Sequence, residues 1–364
     1  MAQLTILPSD TCRWDAAALG EIMLRFDPGS TRIKTARTFT AWEGGGEYNV
    51  VRGLRKCFRL NTAVLTGIPE NQLGYLLEDL INQGGVDLSH AVWFPYDGIG
   101  EHHRQGLNFV ERGFGIRGAL GVSDRCHTAA SAVKPSDFDF DKIFHQERAR
   151  WFHCGGIFTA LSESAAETAL AAMKSAREAG TIVSYDLNYR PSLWKSRGGK
   201  SRAQEINREI VSYVDVIIGN EEDFSASLGF DLPDVSTASI QKDVYKEMMK
   251  QVSLTYPNIQ AVATTLREVH TATDNDWSAL LYYDGEIFES AGWKHLEIFD
   301  RVGGGDSFAS GLIYGFLSGR PPQDCVNLGA AHGALAMTTP GDTSMASAGE
   351  VEALIKGGSA RVQR

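Results

Sequence analysis

From Ala16 onward the chain alternates short apolar runs with amphipathic helical stretches, and few architectures can house that rhythm. Ala16-Ala-Ala-Leu-Gly-Glu-Ile-Met-Leu-Arg25 reads as one buried first strand. Val50 to Leu60 has a helical pattern, Thr62 to Thr66 is a strand, and the helix from Leu73 to Gln83 is stopped by Gly84-Gly85. Later, Ser162–Ala179 is an Ala-rich helix, and Thr181–Tyr185, Val214–Ile218, Gln260–Thr265 and Ser278–Tyr283 are strands, the last turning back at Asp284-Gly285. Helices over Asp306–Leu317, Val326–Met337 and Gly349–Ile355 complete the pattern. Strands alternating with helices imply an α/β fold, a mostly parallel sheet covered on both faces. Two stretches break the rhythm. Thr31–Trp42 is polar and β-leaning, and Val92–Ala132 consists of short alternating segments such as Leu107–Glu111 separated by glycines. The simplest assembly makes them one small sheet over the carboxyl edge of the main sheet, where ligands of open α/β sheets bind. The expected division is a core of residues 1–30, 49–91 and 133–364 and a small sheet of residues 31–48 and 92–132.

The 364 residues carry 45 acidic and 35 basic side chains, a formal charge of −10. That balance argues against a nucleic-acid partner, because no Lys/Arg stripe tracks phosphates. An anionic small substrate would have to be drawn by a few local groups. No window approaches the ~20 apolar residues that cross a bilayer. Met1–Asp10 shows no basic segment followed by an apolar core, and the five cysteines are scattered, never as CxxC. The expectation is therefore a cytoplasmic protein with reduced thiols, no membrane partner and no zinc site. His153, inside the apolar run Trp151-Phe-His-Cys, reads as a satisfied core imidazole. The 38 glycines exceed what ordinary turns require, and they cluster at Gly44–Gly46 and Gly303–Gly305.

The sharpest chemical feature is Asp300-Arg-Val-Gly-Gly-Gly-Asp306 at the mouth of a helix. Successive glycines leave backbone N–H groups free to converge, and the helix dipole adds positive character, so the segment can hold an anion without a basic side chain. Asp306 in the first turn reads either as a helix cap or as a base. A cap accounts for one Asp but not for three glycines, each costly in conformational entropy. An anion cradle beside a carboxylate suits phosphoryl transfer.

That segment resembles the C-terminal signature of the ribokinase-like (PfkB) carbohydrate kinases, and Glu43-Gly-Gly-Gly-Glu-Tyr-Asn49 with Gly67 resembles their N-terminal one. Within the family the likeness is greatest to 2-keto-3-deoxygluconate kinases, through Gly20–Arg25, Asp186-Leu-Asn-Tyr-Arg190, Asn220-Glu-Glu-Asp223, Thr265-Leu-Arg-Glu268 and Pro340-Gly-Asp342. The resemblance implies a Rossmann-like αβα sandwich with a β-sheet lid, an enzyme using ATP and Mg²⁺ on a sugar acid, and a homo-oligomer through the lid. It implies that Asp306 deprotonates the acceptor hydroxyl while Gly303, Gly304 and Gly305 form the anion hole. Asn220 and Asp223 match the motif that organises magnesium through water, with Asp where the family usually has Glu. Asn220, Thr265, Leu266 and Arg267 lie where these kinases contact nucleotide, although strand-end packing would equally explain the last three. On the sugar side the resemblance implies Gly44, Gly45, Asn108, Arg125, Asn188, Arg190 and Asp342. Arg190 and Arg125 would face the substrate carboxylate, a match for the planar guanidinium fork. Gly44 and Gly45 read alternatively as a plain hinge, and Asp342 as a solvated turn.

Relatives often carry tyrosines at the positions of Asn108 and Ser123, and Ala at Gly46, Tyr48 and Gly304. Losing two lid tyrosines leaves the sugar acid open between 2-keto-3-deoxygluconate, 2-keto-3-deoxygalactonate, a deoxy-keto-gluconate isomer and fructose. Tyr48 is a candidate to fill the vacated space. Two other classes stay in view: a non-catalytic sugar-acid sensor of the same fold, which would have no use for Asp306, and a nicotinamide dehydrogenase, disfavoured because no GxGxxG follows the first strand.

Overall fold

In the computed structural model, which describes residues 3–230 and 238–358, the apolar runs become strands and the amphipathic stretches become helices. The elements follow in order: β1 (Trp14–Leu19), β2 (Met23–Asp27), β3 (Thr40–Gly44), α1 (Gly46–Lys56), β4 (Thr62–Leu65), β5 (Gly67–Pro69), α2 (Gln72–Gly84), β6 (Val92–Phe94), β7 (Leu107–Glu111), β8 (Leu120–Asp124) and α3 (Ala129–Ala132). Then come β9 (Ala149–Gly155), α4 (Gly156–Thr159), α5 (Glu163–Glu178), β10 (Ile182–Asp186), α6 (Pro191–Trp194), α7 (Gly199–Val211), β11 (Val216–Ile218), α8 (Glu221–Leu228) and α9 (Ala238–Thr255). The last part holds β12 (Ala261–Val269), β13 (Asp274–Tyr283), β14 (Glu286–Glu289), β15 (Trp293–Glu297), α10 (Gly304–Leu317), α11 (Pro322–Ala336) and α12 (Ala348–Ile355).

The main sheet runs β14-β13-β12-β11-β10-β9-β1-β4, parallel from β4 to β12, with β13 antiparallel and pairing β15 as well. Alternate side chains of each parallel strand enter two apolar layers: Phe152 and Val183 face the layer built on α5 and α7, while Trp151 and Ile182 face that of α1, α10 and α11. Both faces are therefore covered, as the alternating sequence requires. His153 is buried with Nδ1 at 2.8 Å from the Ser184 hydroxyl, a satisfied core imidazole whose pKa burial lowers to about 3.

Two strand readings need correction. The apolar run Ala16–Arg25 is not one strand: β1 belongs to the main sheet, and β2 leaves it after Gly20-Glu21-Ile22 to enter a second, four-stranded sheet ordered β3-β2-β7-β8. Because the chain is buried on both sides of that break, hydrophobicity does not mark it. Val92–Phe94 likewise joins β5 in a separate two-stranded sheet instead of the small one.

Arg25 fastens the small sheet to the rest. Its fully buried guanidinium pairs with Asp342 and Asp300 and lies 3.5 Å from Asp27, which Arg112 also approaches at 3.4 Å. Burial opposes the cation, but the two carboxylates outweigh it and its pKa is raised. Replacing Arg25 by Met strands these carboxylates in a dry site. The expected loss is about 3–5 kcal/mol of unfolding free energy in urea titration; a change under about 1 kcal/mol would show that the network does not hold the sheets together.

Candidate active site

The carboxyl ends of the parallel strands and the inner face of the small sheet enclose a cleft of ≈ 390 Å³. Several segments distant in sequence contribute to it. At and beyond the end of β10 come Asp186, Asn188 and Arg190; after β11, Gly219, Asn220 and Asp223; on β12, Thr265. The 301–306 segment supplies Arg301, Gly303, Gly305 and Asp306, and the small sheet with the start of α1 supplies Gly45, Gly46, Asn49, Asn108, Ser123 and Arg125. Asp342 closes one side.

Gly303 caps α10 in the left-handed region, φ 80°, and any side chain there would meet the Asp342 carbonyl. The three glycine positions obey different constraints. A Cβ on Gly304 would press on Met337 at 3.0 Å, whereas one on Gly305 would meet nothing within 4 Å. Neither backbone strain nor packing demands glycine at position 305; its missing side chain keeps the helix mouth open to the cleft. Asp306, in the first turn, does not cap the helix, since Gly303 occupies that position. Its Oδ2 instead accepts a 2.7 Å hydrogen bond from Asn49 Nδ2 on α1. Burial raises the Asp306 pKa to about 6, opposed by the Asn49 hydrogen bond and assisted by the negative Asp342. The group is therefore poised near neutrality.

Further carboxylates crowd the same region. Asp186 is pushed well up by burial and by Asp223 and Asp306. Asp223 is raised by burial, although its oxygens accept the N–H groups of Tyr189 (2.8 Å) and Asn220 (3.0 Å). Asn220 is the N-cap of α8, its Oδ1 accepting the Asp223 N–H at 2.9 Å. Arg190 opposes both shifts without cancelling them, and the two acids make a hard, oxygen-rich donor set of the kind Mg²⁺ prefers. The residues present therefore fit that ion, with Asp223 suited to act through water because both its oxygens are engaged. Glu47, wholly buried where side chains on Gly20 or Gly155 would collide with it, is raised to about 8 by burial first and by Asp306 among its neighbours. It holds its proton at neutral pH and adds no second charge beside Asp306.

The arginines divide by partner. Arg125 is committed: its Nε lies 2.9 Å from Glu21 Oε2, and Thr128 Oγ1 donates to the other oxygen at 2.8 Å. Arg190 Nη1 donates to the Tyr189 carbonyl at 2.9 Å, and among the described residues no carboxylate forms an ion pair with it. Asn108 and Ser123 face each other across β7 and β8, the Ser123 hydroxyl 3.1 Å from Asn108 Oδ1.

The family model described as pfkB family carbohydrate kinase matches residues 15–348. The chain belongs to that family. It is 28% identical over 351 residues to a 2-dehydro-3-deoxygalactonokinase of Haloferax volcanii, covering 96% of this chain and 99% of the relative. A 5-dehydro-2-deoxygluconokinase of Geobacillus kaustophilus is 25% identical over 92% of each chain. Among solved structures, a 2-dehydro-3-deoxygluconokinase of Thermotoga maritima superposes with a TM-score of 0.86 at 36% identity, covering 94% of this chain and 99% of that one. The protein is thus a ribokinase-like sugar kinase, a phosphotransferase with a sugar hydroxyl as acceptor, and kinases of this family use ATP. The nicotinamide reading is set aside. Among the described residues no helix is long and apolar enough to cross a membrane.

The cleft of this kinase gathers twelve of the positions singled out in the sequence: Gly45, Asn108, Arg125, Asn188, Arg190, Asp342, Asn220, Asp223, Thr265, Gly303, Gly305 and Asp306. Four stand outside its lining. Gly44 is covered by the Asp342 carboxylate and Gly304 by Met337. Leu266 packs against the core, since strand alternation turns it away from Thr265, and Arg267 opens into neighbouring hollows. Asp342 is buried against Arg25 and is no solvated turn. Tyr48 does not fill the lid: its hydroxyl bonds Glu43 at 3.3 Å and lies against Gly84 of α2. The sequence reading passed over Asn49, Asp186, Glu47 and Arg301. Asn49 ends the glycine-rich signature and Asp186 opens the Asp-Leu-Asn-Tyr-Arg stretch, so motif position was their available signal.

The glycine geometry gives a contrast between neighbours. Gly303→Ala is expected to lower the unfolding free energy by at least about 1 kcal/mol, from the left-handed backbone alone. Gly305→Ala should leave the melting temperature unchanged while reducing turnover, as measured by thermal denaturation beside a steady-state assay; equal melting shifts for both would contradict this account.

Proposed function

We propose that the kinase transfers the γ-phosphoryl group of ATP to the primary hydroxyl of 2-keto-3-deoxygluconate. The observation that carries this reading is the juxtaposition of Asp306, poised near neutrality and aimed by Asn49, with the N–H groups at the mouth of α10 in one cleft. Asp306 takes the proton of the sugar hydroxyl as its oxygen bonds the γ-phosphorus. The bond from that phosphorus to the β,γ-bridging oxygen breaks, and ADP leaves with the electron pair. The amides of Gly303, Gly304, Gly305 and Asp306 stabilise charge on the transferring oxygens. Asp223, with Asn220 and through water, would hold Mg²⁺, which supplies neutralisation of phosphate charge. Arg190, without a carboxylate partner, is the guanidinium available to a sugar acid; Arg125 serves by anchoring the small sheet at Glu21 beside the sugar. Asn188, Asn108, Asp342 and the backbone at Gly44 and Gly45 surround the sugar hydroxyls, and Thr265 with the backbone at Leu266 and Arg267 flanks the nucleotide.

The small sheet acts as a lid that excludes water, favouring transfer over hydrolysis. Exposed Leu120 and Val122 on its edge strand β8 suit contact with a second copy of the chain. The likeness to 2-dehydro-3-deoxygluconokinase favours the gluconate-derived acid. The galactonate-derived isomer is the second reading, favoured by the Haloferax relative and by the Asn108–Ser123 pair where bulkier tyrosines would narrow the choice.

An ADP-release assay over both acids, the 5-keto isomer and fructose tests the substrate: turnover of neutral fructose ahead of every acid would overturn it. Asp306→Asn should lower kcat by about 10²–10⁴-fold, and near-normal turnover would remove Asp306 as base. The ionised form is the active one, so kcat/KM should fall below pH about 6. Asn49→Ala removes a bond that favours ionisation and should move that acid limb to higher pH. Arg190→Met should cost acids at least about tenfold more than fructose in kcat/KM; a uniform loss would deny its contact with the carboxylate.

A further inference from the structure

At the turn from β12 to β13, two imidazoles and a carboxylate meet outside the lining of the catalytic cleft. His270 follows β12, Asp276 lies on β13 and His295 on β15, and none of the three lines the cleft. One ring nitrogen of each histidine and one oxygen of Asp276 all lie within 4.8 Å of one another. The sequence shows no metal-ligand spacing here because His295 arrives from a third strand.

The local backbone is built around this meeting. Between the pairs Asn275–Leu296 and Trp277–Trp293, β13 has one residue, Asp276, and β15 has two, Lys294 and His295. Such a bulge re-aims side chains. His295 absorbs the extra residue at φ 52°, a left-handed conformation that residues other than glycine seldom adopt. Its N–H donates to Asp276 Oδ1 at 2.9 Å, and its ring stacks on that of His270 with centroids 4.9 Å apart. His270 Nε2 is 3.0 Å from the same Asp276 oxygen, while Lys294 Nζ donates to the other at 2.5 Å. Asp274 Oδ2 lies 3.2 Å from His295 Nδ1. Hydrogen bonding to Asp276, then the charges of Asp276, Asp274 and Glu268, raise the His270 pKa against the effect of burial. The field around the stacked imidazoles is therefore anionic and draws a cation.

We propose that His270, His295 and Asp276 form a binding site for a divalent transition ion of the zinc type, separate from the magnesium expected in the cleft. Two imidazole nitrogens with one carboxylate oxygen suit that class, whereas Mg²⁺ and Ca²⁺ prefer oxygen alone. Three protein ligands leave a position for water. The ion fastens the β12–β13 turn to β15. That turn is also a support for its surroundings: Ala272 N–H donates to the Gly115 carbonyl in the β7–β8 loop at 2.8 Å, and Ile298, just past β15, donates its N–H to the Thr273 carbonyl at 2.9 Å. The site therefore stiffens a brace shared by the small sheet and the segment leading to Gly303.

Calorimetric titration of the full chain with Zn²⁺, after metal removal by a chelator and in excess Mg²⁺ to fill oxygen ligands in the cleft, tests the site. One Zn²⁺ should bind per chain. His270→Asn and His295→Asn should each weaken it at least about tenfold, no less than the loss of an outer partner of a metal ligand. Asn tolerates the left-handed backbone at 295, and both metal-free variants should melt within about 2 °C of the wild type. Added Zn²⁺ should raise the melting temperature of the wild type and not of these variants. Lys294→Gln, which removes a cation competing for Asp276, should tighten Zn²⁺ about threefold; this gain decides the matter if a histidine variant fails to fold. No saturable Zn²⁺ uptake, binding within twofold of wild type in both histidine variants, or no tightening in Lys294→Gln would overturn the proposal. The titration involves neither sugar nor nucleotide, so its outcome is independent of the phosphoryl-transfer reading.

Discussion

The guanidinium of Arg25 is the constraint on which the remainder rests. It lies in the second strand of the chain, yet its two partners, Asp300 and Asp342, come from the far end and bracket the glycine mouth of α10. Asp342 in turn touches both glycine clusters, its side chain over Gly44 and its carbonyl against Gly303. One buried cation thus sets the spacing between the small sheet, the glycine turn before α10 and the start of α1. A buried ion pair contributes little net stability compared with apolar packing, but its hydrogen bonds tolerate few alternative geometries. That is the kind of precision a site assembled from several separate segments needs.

The site resolves the electrostatic difficulty of an acidic chain that handles anions. In the proposed reading, attraction comes from backbone N–H groups and the Arg190 guanidinium, set among carboxylates whose ionisation burial disfavours. Glu47 keeps its proton, and Asp306 sits close to its titration point. Bulk charge is irrelevant at this scale, because the low local dielectric makes the nearest groups dominate.

Much of this was readable in the residues. Strand–helix alternation led to the parallel sheet, and the glycine runs with their flanking acids led to the cleft. What escaped did so for definite reasons. The break between β1 and β2 is invisible to hydropathy because Ile22, Met23 and Leu24 are as buried as Ala17 and Ala18. The tie of Arg125 to Glu21 is not legible in the sequence because the two are 104 positions apart. Asn49 is an unremarkable polar residue until α1 brings it against Asp306, 257 positions distant. Leu266 and Thr265 are neighbours in sequence but face opposite ways, which one-dimensional motif matching does not resolve.

The anchoring of β2 also decides how such a sheet can open. Swinging it outward as a rigid plate would draw a buried cation away from two buried anions, a barrier far above thermal energy. The outer strands carry ties of their own, Arg125 to Glu21 just beyond β8 and Arg112 to Asp27 just beyond β7, although β8 itself is solvent-exposed along its whole length. Any movement that uncovers the cleft therefore has to part charged contacts at β2, β7 and β8 together.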